Sequence, residues 1–183
     1  MSAGPGRPVF LTGMMGAGKS TIAPLLAAAW GVPWIDLDVR VARIFGASVA
    51  ALFARGEAQF RRCEHLSLRL LLAEPGLRAR TVVIATGGGV VLDPASRALM
   101  HAAGHVVLLE APIDELTRRL LAPGQRATRP LLAGPDEVVR ARLEEKLSDR
   151  RSAYGEANMV VDTSGSPQDA VHRLLSAFSE VHP

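Results

Sequence analysis

The chain has 183 residues, of which 48% are hydrophobic and 21% charged, and its formal net charge is +3. These values predict one globular domain with a buried core, and they exclude a disordered chain, a collagen-like repeat and a coiled coil. The aromatic content of 4% also argues against a nucleic-acid-binding protein, which would need a basic stripe with stacking rings.

Short apolar runs alternate with helical patterns along the chain. The predicted strands are residues 9–12, 33–35, 81–85, 105–109 and 158–161. The predicted helices are residues 21–30, 39–74, 94–103, 112–121, 136–154 and 167–178. The second of these has breaks at Gly46 and Gly56, and the fifth has Asp136 as its N-cap. Strands that alternate with helices predict a parallel α/β sheet covered on both faces. We expect residues 1–183 to form one domain with a flexible tail at 1–7 and insertions at 39–74 and 122–135.

The first strand and the first helix are joined by residues 13–20, GMMGAGKS, which match the pattern G-x-x-x-x-G-K-[ST]. Glycines let successive N–H groups point at phosphate oxygens, and the helix N-terminus adds partial positive charge. Lys19 is expected to reach the β- and γ-phosphates of a nucleotide and Ser20 to bind Mg²⁺. A purely structural glycine turn is the alternative. The nucleotide-binding residues are therefore predicted to be Gly16, Ala17, Gly18, Lys19, Ser20 and Thr21.

Two aspartates, Asp36 and Asp38, follow the second predicted strand. Ligands of open α/β sheets bind beyond the carboxyl ends of the strands, so both residues are expected beside the phosphate loop. Phosphoryl transfer needs a metal and a group that orients or deprotonates the attacking hydroxyl, and two carboxylates can divide those tasks. One of them could instead cap the following helix, and we expect Asp38 to have that role beside a catalytic one.

Cationic residues and glycines occur at three later places. Arg61 and Glu64 are three residues apart on one helical face, where Glu64 could hold the guanidinium for a substrate carboxylate or form a surface ion pair. Three glycines at 87–89 follow the third strand and favour a ligand against bare backbone over a loose turn. Arg150 closes the long helix, where the helix dipole alone would favour it.

Residues 122–135, rich in proline and glycine, are expected to form a lid over the nucleotide. The lid contains Arg126 and Arg129, and a cation there would approach the transferred phosphoryl group. The lone cysteine, Cys63, excludes a disulfide framework and a multi-cysteine zinc site, and we expect it to be partly buried rather than reactive. We find neither a signal peptide nor a membrane span, and expect a cytoplasmic protein without a membrane partner.

Together these motifs resemble the shikimate kinase family from about residue 9 to residue 175. The segments that carry the resemblance are GMMGAGKST, IDLD at 35–38, GEAQFRRCE at 56–64, TGGG at 86–89, RPLLAG at 129–134 and R-x-x-x-Y at 150–154. The resemblance implies a three-layer P-loop kinase fold with a five-stranded parallel sheet of order 2-3-1-4-5. It also implies transfer of the γ-phosphate of ATP to the 3-hydroxyl of shikimate, a step toward chorismate and the aromatic amino acids.

The resemblance also implies roles for individual residues. Asp38 would bind the shikimate hydroxyls and act as the base, and Asp36 would place Mg²⁺ through water beside Ser20. Arg61 and Arg150 would hold the shikimate carboxylate. Gly88 would contact shikimate through its backbone, and Arg129 would be the lid arginine that meets the ATP phosphates. ATP and shikimate are the expected partners, and a monomer is expected.

One feature departs from the family. Its members often carry an arginine near adenine in the loop after the last strand, and residues 162–167, DTSGSP, have none. We therefore predict no side chain for adenine. The rival functions are a kinase for gluconate or aminoshikimate, a nucleoside monophosphate kinase, which the two aspartates disfavour, and a P-loop regulator without turnover.

Overall fold

Strands and helices follow each other in the order that the sequence predicts. The computed structural model describes residues 4–122 and 134–181. The strands are β1 (Val9–Thr12), β2 (Trp34–Asp36), β3 (Val83–Ala85), β4 (His105–Glu110) and β5 (Met159–Asp162). The helices are α1 (Lys19–Trp30), α2 (Leu37–Phe45), α3 (Val49–Ala54), α4 (Glu57–Leu72), α5 (Pro94–Ala103), α6 (Ile113–Leu121), α7 (Asp136–Tyr154) and α8 (Pro167–Val181).

All five strands are parallel, in the order β2-β3-β1-β4-β5, which confirms the predicted topology. Side chains of the central strand alternate between two cores. Val9 and Leu11 pack on the face that holds Trp30 and Phe178, whereas Phe10 packs on the other face. Because helices cover both faces, the central strand is completely buried and the fold has three layers.

The predicted helical insertion at 39–74 is three helices, α2 to α4. The chain turns at Gly46, whose φ of +62° ends α2, and at Gly56, which precedes α4. A small core under these helices contains Val41, Phe60 and the buried Cys63. The breaks at both glycines are confirmed, and the second half of α4 packs against the sheet through Leu68, Leu71 and Leu72.

Several predicted boundaries are wrong by one to three residues. The second strand ends at Asp36 rather than at residue 35, and α2 begins at Leu37 rather than at residue 39. Asp136 is not the N-cap of α7, since Pro135 occupies that position. These shifts matter most at β2, where they change the roles of the two aspartates.

Residues 1–3, 123–133 and 182–183 lie outside the described residues, and so do Arg126 and Arg129 of the predicted lid. Within the N-terminal tail, the Gly6 N–H donates to Thr81 Oγ1 at 2.8 Å and Arg7 Nη2 donates to the Ala102 carbonyl at 2.8 Å. None of the helices in the described ranges is long and apolar enough to cross a bilayer.

Candidate active site

A cleft of about 800 Å³ lies where β1, β2, β3 and β5 end. Small-molecule sites commonly have this size. The cleft is lined by nearly all the described residues that the sequence singled out, namely Gly16, Gly18, Lys19, Ser20, Thr21, Asp36, Asp38, Arg61, Glu64, Gly87, Gly88, Gly89 and Arg150. Residues from five separate segments therefore meet in one cavity.

Backbone conformation builds the phosphate-loop side of the cleft. Gly16 and Gly18 have φ angles of +84° and +92°, which only glycine adopts without strain. A side chain on Gly16 would also approach the Leu116 carbonyl oxygen, at 3.3 Å from a Cβ. Gly18 caps α1, and its carbonyl accepts from the Ile22 N–H at 2.8 Å. The glycines thus deliver the chain into a helix N-terminus that faces the cleft.

The predicted nucleotide-binding residues differ in what they offer to a ligand. Lys19 Nζ lies within the loop and donates to the Gly13 carbonyl at 2.6 Å and to the Met14 carbonyl at 2.9 Å. The Ala17 side chain is buried in the core, and its N–H donates to the Met14 carbonyl at 3.1 Å. The Thr21 N–H donates to the Gly18 carbonyl at 3.0 Å. Lys19 is therefore the side chain of this loop that supplies a positive charge.

Ser20 and Asp36 form the candidate metal position. Ser20 Oγ donates to Asp36 Oδ2 at 3.0 Å, so the first turn of α1 and the end of β2 meet there. Hydroxyl and carboxylate oxygens are ligands that Mg²⁺ prefers, with water and substrate phosphates completing its shell. Across residues 4–122 and 134–181, no cluster of three or more His, Cys, Asp or Glu side chains could hold a metal by itself. This pair fits a magnesium ion that arrives with a nucleotide.

Asp36, not Asp38, is the N-cap of α2. Asp36 Oδ1 accepts from the N–H groups of Asp38 at 2.9 Å and Val39 at 3.1 Å. The prediction that Asp38 caps this helix is wrong, because the helix begins two residues earlier than expected. Asp38 lies in the first turn, and its carboxylate lines the cleft instead.

The three successive glycines at 87–89 have charged side chains pressed against them. A Cβ on Gly87 would lie 2.8 Å from Asp38 Oδ1, and one on Gly88 would lie 3.1 Å from Arg150 Nη1. A Cβ on Gly89 would overlap the Arg61 guanidinium. None of the three glycines has a positive φ. Close approach of the charged groups, rather than backbone strain, is therefore what requires glycine here.

Glu64 lies behind Arg61 and is 1% exposed. Its Oε2 pairs with Arg61 Nη1, and its Oε1 approaches Gly87 beside Asp38. Burial raises the pKa of the Glu64 carboxyl to about 7, and Asp38 adds to this shift against the opposing charges of Arg61 and Arg150. For Arg61, burial opposes the charge, but the two glutamates Glu64 and Glu57 raise the pKa of its guanidinium. The interpretation of Glu64 as the holder of Arg61 is consistent with this geometry.

Arg150 is buried, which a helix-dipole role would not require. Only 5% of it is exposed, and its Nη1 contacts Met14 Sδ at 3.4 Å. One turn later Tyr154 donates its hydroxyl to the Gly88 carbonyl at 2.8 Å. The two side chains of R-x-x-x-Y thus fix the guanidinium and the glycine backbone relative to each other.

Several residues of the cleft are not predicted by the sequence, among them the charged residues Arg119, Glu57 and Lys146. Arg119 of α6 donates to the Gly16 carbonyl at 3.2 Å and also to the Thr163 carbonyl, so it ties the phosphate loop to the loop after β5. Glu57 and Lys146 line the same cleft. The i, i+4 spacing of Lys146 and Arg150, and of Glu57 and Arg61, places each pair on one helical face and could have indicated them.

The chain is similar to known proteins both in sequence and in structure. A sequence model described as shikimate kinase matches residues 15–179. A shikimate kinase from Salinibacter ruber is 40% identical over 178 residues, which cover 93% of this chain and 84% of that protein. A shikimate kinase structure from Bacteroides thetaiotaomicron has a TM-score of 0.85 at 32% identity, covering 94% of this chain and 98% of that one. A structure from Acinetobacter baumannii, a shikimate kinase in complex with shikimate, has a TM-score of 0.84 at 29% identity, covering 96% and 94%.

Proposed function

Because the chain belongs to the shikimate kinase family, we propose that its cleft transfers the γ-phosphate of ATP to the 3-hydroxyl of shikimate. The products are shikimate 3-phosphate and ADP. The observation that carries the proposal is that one cavity joins a phosphate loop to two guanidinium groups held against the backbone of residues 87–89. Gluconate, aminoshikimate and a nucleoside monophosphate are the rival acceptors.

Shikimate offers one carboxylate and three hydroxyls, and the acceptor side of the cleft has complementary groups. Arg61 and Arg150 hold the carboxylate through charged hydrogen bonds, each worth about 1.5–3 kcal/mol. Asp38 accepts from the hydroxyls, and the backbone of Gly88 contacts the ring. Tyr154 and Glu64 position these groups, since they bond to Gly88 and Arg61 respectively.

Transfer requires the 3-hydroxyl to attack the γ-phosphorus in line with the departing ADP oxygen. In this proposal Asp38 orients the hydroxyl and takes its proton, and Lys19 moves from the loop carbonyls to the β- and γ-phosphates. Ser20 and Asp36, through water, would hold Mg²⁺, which when bound neutralises phosphate charge. Arg129, which lies outside the described residues, is proposed from its motif RPLLAG to meet the phosphates.

The nucleotide base is proposed to lie beside the loop after β5. Thr163, Gly165 and Pro167 line the cleft there, and Arg119 bonds to the carbonyls of that loop. Arg119 would supply the cation that residues 162–167 lack. We further propose that residues 39–74 form the acceptor wall and residues 122–135 the lid of a single domain. We also propose that the enzyme works in the cytoplasm as a monomer.

The test is release of ADP from ATP and Mg²⁺ in the presence of shikimate, aminoshikimate, gluconate or AMP. We expect shikimate to give a kcat/KM at least tenfold above every other acceptor, with shikimate 3-phosphate as the product in mass spectra. A faster reaction with gluconate or AMP would contradict the assignment of the acceptor. ADP release that no acceptor stimulates would indicate a P-loop protein without this transfer.

A further inference from the structure

Both terminal nitrogens of Arg61 already have carboxylate partners from its own helix. Nη1 pairs with Glu64, three residues later, and Nη2 donates to Glu57 Oε1, four residues earlier, at 2.8 Å. Each terminal nitrogen has two N–H groups, so a substrate carboxylate that binds Arg61 in the two-bond arrangement would share these nitrogens with the two glutamates, whose charges would oppose its approach. The proposed function places such a carboxylate at Arg61.

The two glutamates are not equally able to move. Glu64 is buried behind Arg61, whereas the Glu57 side chain is 47% exposed and lies in the first turn of α4. The hydrogen bond from Arg61 is the main cause that lowers the pKa of Glu57, so this carboxyl is ionised at neutral pH. Glu57 is thus a full negative charge beside the guanidinium that the substrate carboxylate would approach.

A further cation lines the same cleft as Glu57. Lys146 of α7 is half-buried and lines the cleft one turn before Arg150, while its neighbours Glu144 and Glu145 are exposed. Lys146 and Arg150 both contribute to the lowered pKa of Glu57, after Arg61. The chain has only two lysines, Lys19 and Lys146, and both line this cleft.

We propose that Glu57 is an internal placeholder for the substrate carboxylate, displaced from Arg61 toward Lys146 when the acid binds. This rests on the proposed function, in which Arg61 binds the shikimate carboxylate. A substrate carboxylate can replace Glu57 because it forms a new ion pair with Arg61. A neutral analogue cannot do so and would leave the ion pair between Arg61 and Glu57 in place. Glu57 therefore lowers the affinity for acids, Lys146 raises it by receiving the displaced carboxylate, and neither takes part in the transfer itself.

Glu57→Gln tests the placeholder, because an amide oxygen can still accept from Arg61 while the competing charge is gone. We expect the Kd for shikimate, measured by titration calorimetry, to fall by about two- to fivefold, the range of a partly exposed ion pair. Glu74→Gln is the matched control, since Glu74 pairs with Arg40 at 2.7 Å, away from the cleft. A Kd that rises or stays unchanged in Glu57→Gln would overturn the proposal.

Lys146→Met tests where the displaced carboxylate goes. Without Lys146, Glu57 has one fewer cation to move to, so shikimate should bind about two- to threefold more weakly. In the Glu57→Gln background the same change should have no effect. An equal loss in both backgrounds would show that Lys146 acts on the acid directly, and would overturn its role as the receiving group.

Arg61→Ala separates this inference from the proposed function. If Arg61→Ala leaves the Kd for shikimate unchanged, the carboxylate site itself is wrong and the placeholder fails with it. If Arg61→Ala weakens binding while Glu57→Gln does not tighten it, the carboxylate site stands and the placeholder alone is overturned.

Discussion

The two halves of the cleft differ in whether backbone groups or side chains line them. The nucleotide half is mostly backbone, with glycines at positive φ, a helix N-terminus and the lysine of one contiguous eight-residue segment. The acceptor half is mostly side chains, which come from α2, α4 and α7 and converge on the glycines at 87–89. Both halves use glycine, but the first needs its conformational freedom and the second needs its lack of a side chain.

This difference determines which property of the enzyme a substitution in each half would impair. Substitutions of side chains in the acceptor half should change the handling of shikimate and leave ATP binding intact, because the phosphate contacts are made elsewhere. The acceptor half also contains a buried carboxylate that the nucleotide half does not have among the described residues, and this makes its stability depend on pH.

The largest expected effect is on turnover, at Asp38. Asp38→Asn should lower kcat by about 10²- to 10⁴-fold, because an amide cannot take the proton of the hydroxyl. The Kd for ATP, measured by titration, should stay within about twofold of the original protein. Wild-type kcat in this variant would remove Asp38 from the chemistry, and a lost affinity for ATP would break the separation of the two halves.

Arg150→Ala is next in size. Loss of the buried guanidinium that is proposed to hold the carboxylate should raise the KM for shikimate by about ten- to hundredfold, with little change in the KM for ATP. Arg151→Ala is the matched control, because Arg151 follows directly in the chain and is exposed. Steady-state kinetics measure the KM of both variants, and melting temperatures check that both are folded. An equal KM for shikimate in the two variants would reject the assignment of Arg150 to the carboxylate.

Gly89→Ala sharpens the comparison between the two uses of glycine. Its φ of −109° suits alanine, and the nearest obstacle is the Arg61 guanidinium, which must shift. We expect the KM for shikimate to rise by about tenfold, as for loss of one charged hydrogen bond. Gly155→Ala, at a φ of −64° and away from Arg61, should leave the KM unchanged. An unchanged KM in Gly89→Ala would mean that Arg61 does not need this contact.

The smallest effect concerns stability and Glu64. Its pKa in the folded protein is about 7, above the 4.5 of an ordinary glutamate. The folded state therefore holds this proton more tightly, and the stability it contributes below pH 4.5 is lost as the pH rises to 7. Between about pH 5 and pH 8, the free energy of unfolding should fall by about 1–3 kcal/mol more in the original protein than in Glu64→Gln. If urea denaturation gave the same pH dependence of the free energy of unfolding for both proteins, the raised pKa of Glu64 would be contradicted.

The nucleotide half could be predicted from the sequence almost completely. A phosphate loop is local, so its glycines, lysine and serine occur together, and the strand before it and the helix after it have clear patterns. The sheet order, in contrast, came from the resemblance to a family, because alternating strands and helices leave the order of strands open.

The acceptor half could be predicted only in part. The burial of Arg150 was not evident, since an arginine near a helix end has an ordinary explanation in the dipole. The sequence predicts Asp38 rather than Asp36 as the N-cap, because the start of α2 is predicted two residues too late and the N-cap shifts with it. Arg119 was missed because its partners are carbonyl groups of residues 16 and 163, which no spacing rule connects to α6.

The central claim is that guanidinium groups hold the carboxylate of the acceptor opposite the phosphate loop. The most direct test is the Kd of shikimate and of its neutral methyl ester, each measured with the original protein and with Arg150→Ala. We expect the ester to bind about ten- to hundredfold more weakly than the acid to the original protein, and this penalty to shrink at least about fivefold in Arg150→Ala. An equal penalty in both proteins would show that Arg150 does not meet the carboxylate, and would contradict the account.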